Sequence, residues 1–277
     1  MEKTKKFLQS KGFVTFLWVF VLIIIWEVCA YSVAQTARTP ENILPSLTGV
    51  IDSVISDKLI NGSQTATQMV AQNAGATLSR AFIGFSIGTI LGFVLALLMN
   101  MSKVVEKVAF PYLMVIQMIP ILGMAPIINA ITGDITQSRI VIAAILTFYP
   151  VATNTLAGFQ AVEKEKHELM HSYAATKFQL YTKTLIPACL PYFFTGLKIS
   201  APMAITASIL VDTLQGDVGL GCLMSQSLKG AMTRYVFWQI VFFSAFIGIM
   251  SFYLIGVAQK RASQGKVRKK VKTNESI

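Results

Sequence analysis

Charged residues are scarce in this sequence: of its 277 residues, 13% are charged and 54% are apolar. Soluble globular domains carry about 25% charged residues, so the composition excludes that class and indicates a protein that lies in a bilayer. The alternating segments of about ten residues that are typical of outer-membrane strands are also lacking, which argues against a closed barrel.

Cysteine and histidine are few as well. The cysteines Cys29, Cys189 and Cys222 are odd in number and far apart, so they form neither a disulfide framework nor a zinc-ribbon spacing. The only two histidines, His167 and His171, stand one helical turn apart in the stretch HELMH. This matches H-E-x-x-H, a pattern in which two histidines hold zinc and the glutamate is a general base.

A zinc hydrolase needs a third protein ligand and an open fourth position. The nearby acids Glu163 and Glu165 belong to the same predicted helix as the histidines, so they cannot complete a tetrahedron, and Asp212 and Asp217 are predicted at the opposite membrane face. An intramembrane zinc metalloprotease therefore stays as an alternative, while the sequence predicts no metal site and no catalytic residue.

Long apolar runs are what the sequence has in abundance. A helix crosses the roughly 30 Å of hydrocarbon with about 20 apolar residues, and six windows meet that length. The sequence predicts an all-α membrane protein with six transmembrane helices, an N-terminus at 1–12, a membrane domain at 13–260 and a basic tail at 261–277. The windows are 13–34, 82–100, 108–131, 139–160, 189–211 and 235–257.

Lysine and arginine favour one side of the predicted membrane. Basic residues collect in cytoplasmic loops, and a cytoplasmic N-terminus puts 17 of the 24 there, together with the C-terminus. Six, including Arg80 and Arg139, fall on the predicted outer side, and Lys198 lies near the inner end of the fifth window. This asymmetry explains the net charge of +11 without a nucleic-acid partner. The tail run KVRKKVK, 266–272, is predicted to contact anionic lipid.

The segment between the first two windows, residues 35–80, contains apolar residues at near-helical spacing around 50–60, which predicts a short interfacial helix. Glu27, inside the first window, has either a structural hydrogen-bonding role or a role in transport. An ion-coupled secondary transporter is a second alternative, but such a site needs several mid-membrane carboxylates, and Glu27 stands alone.

Prolines and polar residues interrupt the third and fourth windows. A proline within a helix removes a backbone hydrogen bond, and broken helices in membranes line cavities or pack against neighbours. The sequence therefore predicts that these spans, with the fifth, line a translocation path. The prolines are Pro111, Pro120, Pro126 and Pro150, and the predicted polar lining is Gln117, Asn129, Asn154 and Thr206.

The loop at about 163–187 is too polar to enter the bilayer. Residues 163–172 predict an amphipathic helix with Leu169, Met170 and Tyr173 on one side. A break at Ala174-Ala175-Thr176 follows, where Thr176 and Gln179 match a capping box that begins a second helix. An exposed apolar surface on such a loop predicts a partner protein with a matching groove.

This loop resembles that of bacterial ABC importer permeases, the binding-protein-dependent inner-membrane family, in which E-A-A is followed by three residues, Gly, twelve residues and Pro. Here these positions are Glu168-Leu169-Met170, Ala174 and Pro187. The nitrate, sulfonate, taurine and vitamin-precursor subfamily is the most similar. That similarity rests on five stretches: LPSLTGV (44–50), TLSRAFIGFSIGTILG (77–92), QMIPILGMAPIINAITG (117–133), IPACLPYFFTGLKIS (186–200) and DVGLGCLM (217–224).

The resemblance implies a type I ABC importer permease fold in a bacterial inner membrane, with a cytoplasmic coupling helix. It implies cytoplasmic ATPase partners that bind the ATP, so that the chain needs no cofactor of its own. It also implies an external substrate-binding protein and a second permease, identical or sister. The expected solute is a small polar organic molecule or anion, selected mainly by the binding protein, because no arginine cluster is predicted at mid-membrane. The implied coupling residues are Glu168, Leu169, Met170, Tyr173, Ala174, Ala175 and Thr176.

Overall fold

The computed structural model describes residues 11–37, 43–56, 58–60, 62–215, 217–229 and 234–274. Within these residues the regular structure is helical, apart from one isolated bridge between Leu59 and Thr65. The helices are α1 Lys11–Thr36, α2 Leu47–Ile55, α3 Ala66–Met101, α4 Lys103–Met118, α5 Ile121–Thr132, α6 Ile135–Gln160, α7 Lys164–Ser172, α8 Lys177–Leu180, α9 Ile186–Gln215, α10 Leu220–Lys229 and α11 Arg234–Asn274.

Five helical segments of the described chain are long and apolar enough to cross a membrane. They are 13–36, 66–101, 135–160, 177–214 and 235–263, and a bent helix pair raises the number to six. The all-helical class is thus confirmed, and each of the six predicted windows overlaps one of these segments. The second window, 82–100, is only the last part of a helix that already begins at Ala66.

The third window is broken, as its prolines predict, whereas α6 continues through Pro150 without a break. Instead of one helix over 108–131, the structure has the two helices α4 and α5. The chain bends by 112° between them, at Ile119 and Pro120. Proline lacks the N–H that an uninterrupted helix needs there, and Pro120 serves as the N-cap residue of α5. Pro111 and Pro126 lie inside α4 and α5 without ending them.

Contacts divide the chain into two units, 1–72 with 223–241 and 73–222 with 242–277. In the first unit, α2 confirms that this segment contains a short helix, which begins after the N-cap Ser46. The Glu27 carboxylate accepts a 2.8 Å hydrogen bond from the Leu47 amide, and Trp26 Nε1 donates to the Pro45 carbonyl. A carboxylate is stabilised at a helix N-terminus, so this contact is of the structural kind predicted for Glu27.

The second unit is held by close helix contacts. Gly84, Gly88 and Gly92 lie four residues apart on α3, and a Cβ added at any of them would come within 2.9 Å of α6. Small residues at this spacing let helix backbones approach. On α6, Gly158 packs against α9 in the same way. The pair α6 and α9 forms the centre of this unit, with α5 also packed on α6.

Candidate functional site

The predicted coupling helix is α7, which begins at Lys164 and ends at Ser172. None of its residues is buried. Leu169 is 55% exposed and Tyr173, the C-cap residue, is 76% exposed, while Phe178 on the next helix is also 76% exposed. Exposed large apolar side chains on a short polar helix are typical of a protein contact surface.

A Schellman turn ends α7. The Ala174 amide donates to the His171 carbonyl at 2.9 Å and the Ala175 amide to the Met170 carbonyl at 3.0 Å. This pair of hydrogen bonds is characteristic of helices that are followed by a residue in the left-handed conformation. Ala174 has φ 48° and is the only non-glycine with positive φ among the described residues. Alanine therefore stands where the local backbone favours glycine.

The predicted capping box at Thr176 is confirmed. The Gln179 amide donates to Thr176 Oγ1 at 3.3 Å, and the Thr176 amide donates to Gln179 Oε1 at 3.0 Å. After α8, residues Tyr181–Leu185 form a π-helical turn, in which the Ile186 amide reaches the Tyr181 carbonyl. This wider turn makes room for Pro187, whose ring clashes with a preceding carbonyl in a regular α-helix.

The HELMH residues lie on α7, where His167, Glu168 and His171 are all exposed. In the part of the chain that the structure describes, no three His, Cys, Asp or Glu side chains lie close enough to share a metal ion. The two histidines are thus surface residues of the predicted coupling helix.

The predicted path residues are not gathered into one cluster. Gln117, near the end of α4, and Thr206 on α9 are exposed. Asn129 on α5 is half-buried, and its Oδ1 accepts from Ser138 Oγ at 3.3 Å. Asn154 on α6 donates to the Pro150 carbonyl at 2.7 Å. Among the described residues, no hydrogen bond joins any two of these four side chains.

A buried charge cluster lies around Asp212, near the end of α9. The Asp212 side chain is 0% exposed, and its Oδ1 is 2.7 Å from Arg139 Nε and 3.3 Å from Arg80 Nη1. Its Oδ2 accepts a 2.8 Å hydrogen bond from Thr77 Oγ1. Two guanidinium groups thus share one carboxylate. Arg139 Nη2 is buried without a hydrogen-bond partner in the described structure.

The same cluster holds the DVGLG segment. Arg80 Nη1 donates to the Val218 carbonyl at 2.9 Å, and Thr77 Oγ1 accepts from the Leu220 amide at 2.9 Å. A Cβ at Gly219 would lie 2.1 Å from Asp212 Oδ2, and one at Gly221 would lie 1.9 Å from the Ile209 carbonyl. These contacts explain the two glycines, because any side chain would displace the segment from the carboxylate.

Sequence reasoning missed this cluster. The sequence treats Arg80 and Arg139 only as outer-side charges, whereas both lie on helices and their side chains are 13% and 3% exposed. The positions of these residues in the sequence could have indicated the pairing. Arg80, Arg139 and Asp212 all fall at the ends of predicted spans, and the three ends lie on the same side of the membrane. Charges at membrane depth need partners, so opposite charges at one end were a pairing signal.

Comparison with known proteins gives the family. The family model described as "Binding-protein-dependent transport system inner membrane component" matches residues 88–267. The chain belongs to this family. It is therefore a multi-pass permease of an ABC importer, and this family consists of transporters rather than catalysts. The match includes both the segment at 163–187 and Asp212.

Curated relatives match the permease over most of its length. The formylaminopyrimidine transport permease protein ThiX of Halalkalibacterium halodurans is 29% identical over 239 residues, which cover 86% of this chain and 90% of that protein. The nitrate import permease protein NrtB of Leptolyngbya laminosa is 26% identical over 242 residues, with coverages of 87% and 84%. A putative aliphatic sulfonates transport permease protein, SsuC of Bacillus subtilis, is 26% identical over 61% of each chain.

Solved structures agree on the permease fold. A chain of an amino acid ABC transporter aligns with a TM-score of 0.61 at 22% identity, covering 70% of this chain and 94% of that one. An inward-facing MetNI methionine ABC transporter aligns with a TM-score of 0.60 at 18% identity, with coverages of 72% and 96%. The predicted type I importer fold is thereby confirmed.

Proposed function

We propose that this permease forms one half of the translocation path for a small polar organic solute or anion, and that cytoplasmic ATPase subunits bind at α7 and the following turn. The contact consists of Glu168, Leu169, Met170, Tyr173, Ala174, Ala175 and Thr176. ATP is bound by the ATPases, so closure of the ATPase pair is transmitted through α7 to the spans as alternating access.

The exposed apolar surface of α7 carries this proposal. Leu169, Tyr173 and Phe178 are each more than half exposed, and exposing such side chains to water is costly unless a partner covers them. The segment is nevertheless well ordered by local bonds, the Schellman turn at Ala174 and the capping box at Thr176. A pre-organised apolar surface of this kind favours docking into a groove on another protein.

A second permease chain is also part of the proposal, either identical or a sister. Gln117 and Thr206 are exposed polar side chains with exposed apolar neighbours, Val115 and Met118 on α4 and Ile199 on α9. Polar groups at membrane depth are found facing a partner chain or a water-filled path rather than lipid. We place both at the path together with Asn129 and Asn154, the four residues predicted from the sequence.

The proposed orientation has both termini in the cytoplasm, with residues 1–12 and the basic tail 261–277 at the inner face. It follows the distribution of lysine and arginine and puts the loop 163–187 on the ATPase side. The Asp212 cluster then lies at the outer end of its helices, on the side where an external binding protein delivers solute.

The solute class is inferred from the relatives, whose names specify formylaminopyrimidine, nitrate and aliphatic sulfonates. All are small polar molecules or anions. Selectivity is assigned mainly to the binding protein. Arg80 and the buried Arg139 already share Asp212, and the four proposed path residues are uncharged.

The decisive experiment replaces the apolar surface of α7. In Leu169→Asp/Tyr173→Asp, we expect at least about a tenfold loss of ATPase subunits recovered with the purified permease, because charges at an apolar contact are strongly unfavourable. Ile43→Asp is the matched control, since Ile43 is 59% exposed and lies on the opposite face in the proposed orientation. Transport into proteoliposomes is measured in parallel.

Unchanged ATPase recovery in the double variant would contradict the coupling role of α7. Solute class is tested separately by titrating the isolated binding protein with nitrate, taurine and formylaminopyrimidine, where one ligand should bind with a dissociation constant of about a micromolar or below. Comparable affinity of the permease and ATPase complex without the binding protein would contradict the assignment of selectivity.

A further inference from the structure

We propose that the permease binds an anionic phospholipid headgroup of the phosphatidylglycerol class in a cavity between α4 and the end of α6. The cavity has a volume of about 460 Å³. Its wall combines charged, polar and apolar side chains, namely Lys103, Glu106, Lys107, Phe110, Pro111, Leu156 and Gln160.

The charges of the cavity fit a ligand with one negative charge. Lys103 and Lys107 are one turn apart and therefore lie on the same side of α4. Glu106 presents no open oxygen to an anion, because Oε2 is 2.9 Å from Lys103 Nζ and Oε1 accepts from Gln160 Nε2 at 2.7 Å. Lys107 makes no ion pair within the described structure, and the wall carries one net positive charge.

The apolar part of the wall distinguishes a lipid from a free phosphate. Leu156 is buried at 3% exposure, whereas the Lys103 side chain is 76% exposed, so the apolar floor lies below the cationic rim. Val104 and Val108 on α4 are also exposed apolar residues. An amphipathic ligand satisfies both parts, with its phosphate at the lysines and its glycerol and acyl carbons against Phe110 and Leu156.

Charge also selects among lipids. Phosphatidylglycerol adds one negative charge, whereas the ammonium of phosphatidylethanolamine would be repelled by Lys103 and Lys107. Basic pockets between membrane helices on the cytoplasmic side bind anionic headgroups. The inner-leaflet location rests on the orientation proposed above. A lipid held there would contact Gln160, the last residue of α6, close to the start of α7 at Lys164.

Native mass spectrometry of the delipidated full chain provides the test. Phosphatidylglycerol, phosphatidylethanolamine or soluble glycerol 3-phosphate is added back, and retained ligand is counted. We expect retention of phosphatidylglycerol only, and an apparent affinity about tenfold or more weaker in Lys103→Gln/Lys107→Gln, since each lysine near a membrane surface contributes roughly a fivefold factor. Phe110→Ala should also reduce retention while both lysines remain.

The matched control is Lys177→Gln/Lys183→Gln, which removes two other exposed lysines of the same predicted membrane face. Equal losses in the two double variants, or equal retention of both phospholipids, would overturn the site as a specific one. Retention of glycerol 3-phosphate would make it a phosphate site instead. If Lys103→Gln/Lys107→Gln lost its ATPase subunits but still retained phosphatidylglycerol, the cavity would be a protein contact and the lipid site would be overturned. Lipid retention is measured without transport, so a failure of the lipid site can be distinguished from a failure of the proposed function.

Discussion

The Asp212 cluster and the α7 turn are both polar features of one helical unit, yet they are built in opposite ways. At Asp212, two arginines, a threonine and a glycine-rich segment surround one carboxylate without access to water. At α7 no side chain is buried, and the order comes from bonds between near neighbours along the chain. The first region depends on long-range pairing, and the second forms largely by itself.

This difference determines what a substitution does. Removing one member of a buried ion pair leaves an uncompensated charge, which costs about 3–5 kcal/mol. Changes on an exposed helix surface usually stay within about 0.5 kcal/mol. Substitutions in the Asp212 cluster are therefore expected to lower stability, whereas substitutions in the α7 turn are expected to weaken partner binding.

The largest expected effect is that of Asp212→Asn. The change removes the carboxylate that Arg80 and the buried Arg139 share, so we expect a loss of about 3 kcal/mol or more in stability, seen as a strongly lowered thermal midpoint in detergent. Asp134→Asn is the control, because Asp134 caps α6 through the Thr136 amide and asparagine caps equally well. Equal midpoints for both variants would refute the view that the buried pairs matter.

Gly221→Ala should follow, with a loss of about 1–3 kcal/mol. The new Cβ would lie 1.9 Å from the Ile209 carbonyl, so the segment has to shift, as overpacked sites do. Gly75→Ala provides the contrast, since nothing lies within 4 Å of its added Cβ. Alanine within helix α3 should raise stability by about 0.5–1 kcal/mol. Thermal midpoints moving in the same direction for both variants would contradict the described packing.

Thr176→Ala removes one side of the capping box and should loosen α8 by about 1 kcal/mol. The effect stays local, so it is measured as faster amide hydrogen exchange over 174–185 rather than as a lower midpoint. Thr176→Ser keeps the hydroxyl and should exchange like the unchanged protein. If serine and alanine behave alike, the capping box contributes nothing to the turn.

Ala174→Gly tests the left-handed turn by making its backbone conformation less costly. Glycine adopts φ 48° at lower cost than alanine, by about 1 kcal/mol, so hydrogen exchange over 170–176 should slow. Ala175→Gly, at a neighbour without positive φ, should show no such gain. Slower exchange in both variants, or in neither, would contradict the turn geometry.

The smallest effect on stability is expected for Tyr173→Ser/Phe178→Ser. Both side chains are 76% exposed, so the thermal midpoint should change by an amount equivalent to about 0.5 kcal/mol or less. ATPase recovery should nevertheless fall, because the apolar contact surface is lost. A large drop in midpoint would mean that these rings pack within the chain.

Much of the α7 region was predictable because its signals are local. The helix, the break after Tyr173 and the capping box of Thr176 with Gln179 all depend on residues within one or two turns of one another, and the structure confirms them. The role of these residues in ATPase binding stays a prediction. The bend between α4 and α5 was signalled by Pro120, but its angle was not, because a proline breaks a hydrogen bond without fixing the direction in which the chain continues.

The sequence by itself determined the membrane class, the approximate spans, the amphipathic loop and the family resemblance, because apolar run length and short-range spacing are properties of the chain alone. Only the tertiary structure decided that Arg80, Arg139 and Asp212 form one buried cluster, and that Glu27 binds the Leu47 amide. Thr77 and Asp212 are 135 residues apart in sequence, and pairing over that distance depends on how the helices pack, which no local pattern encodes.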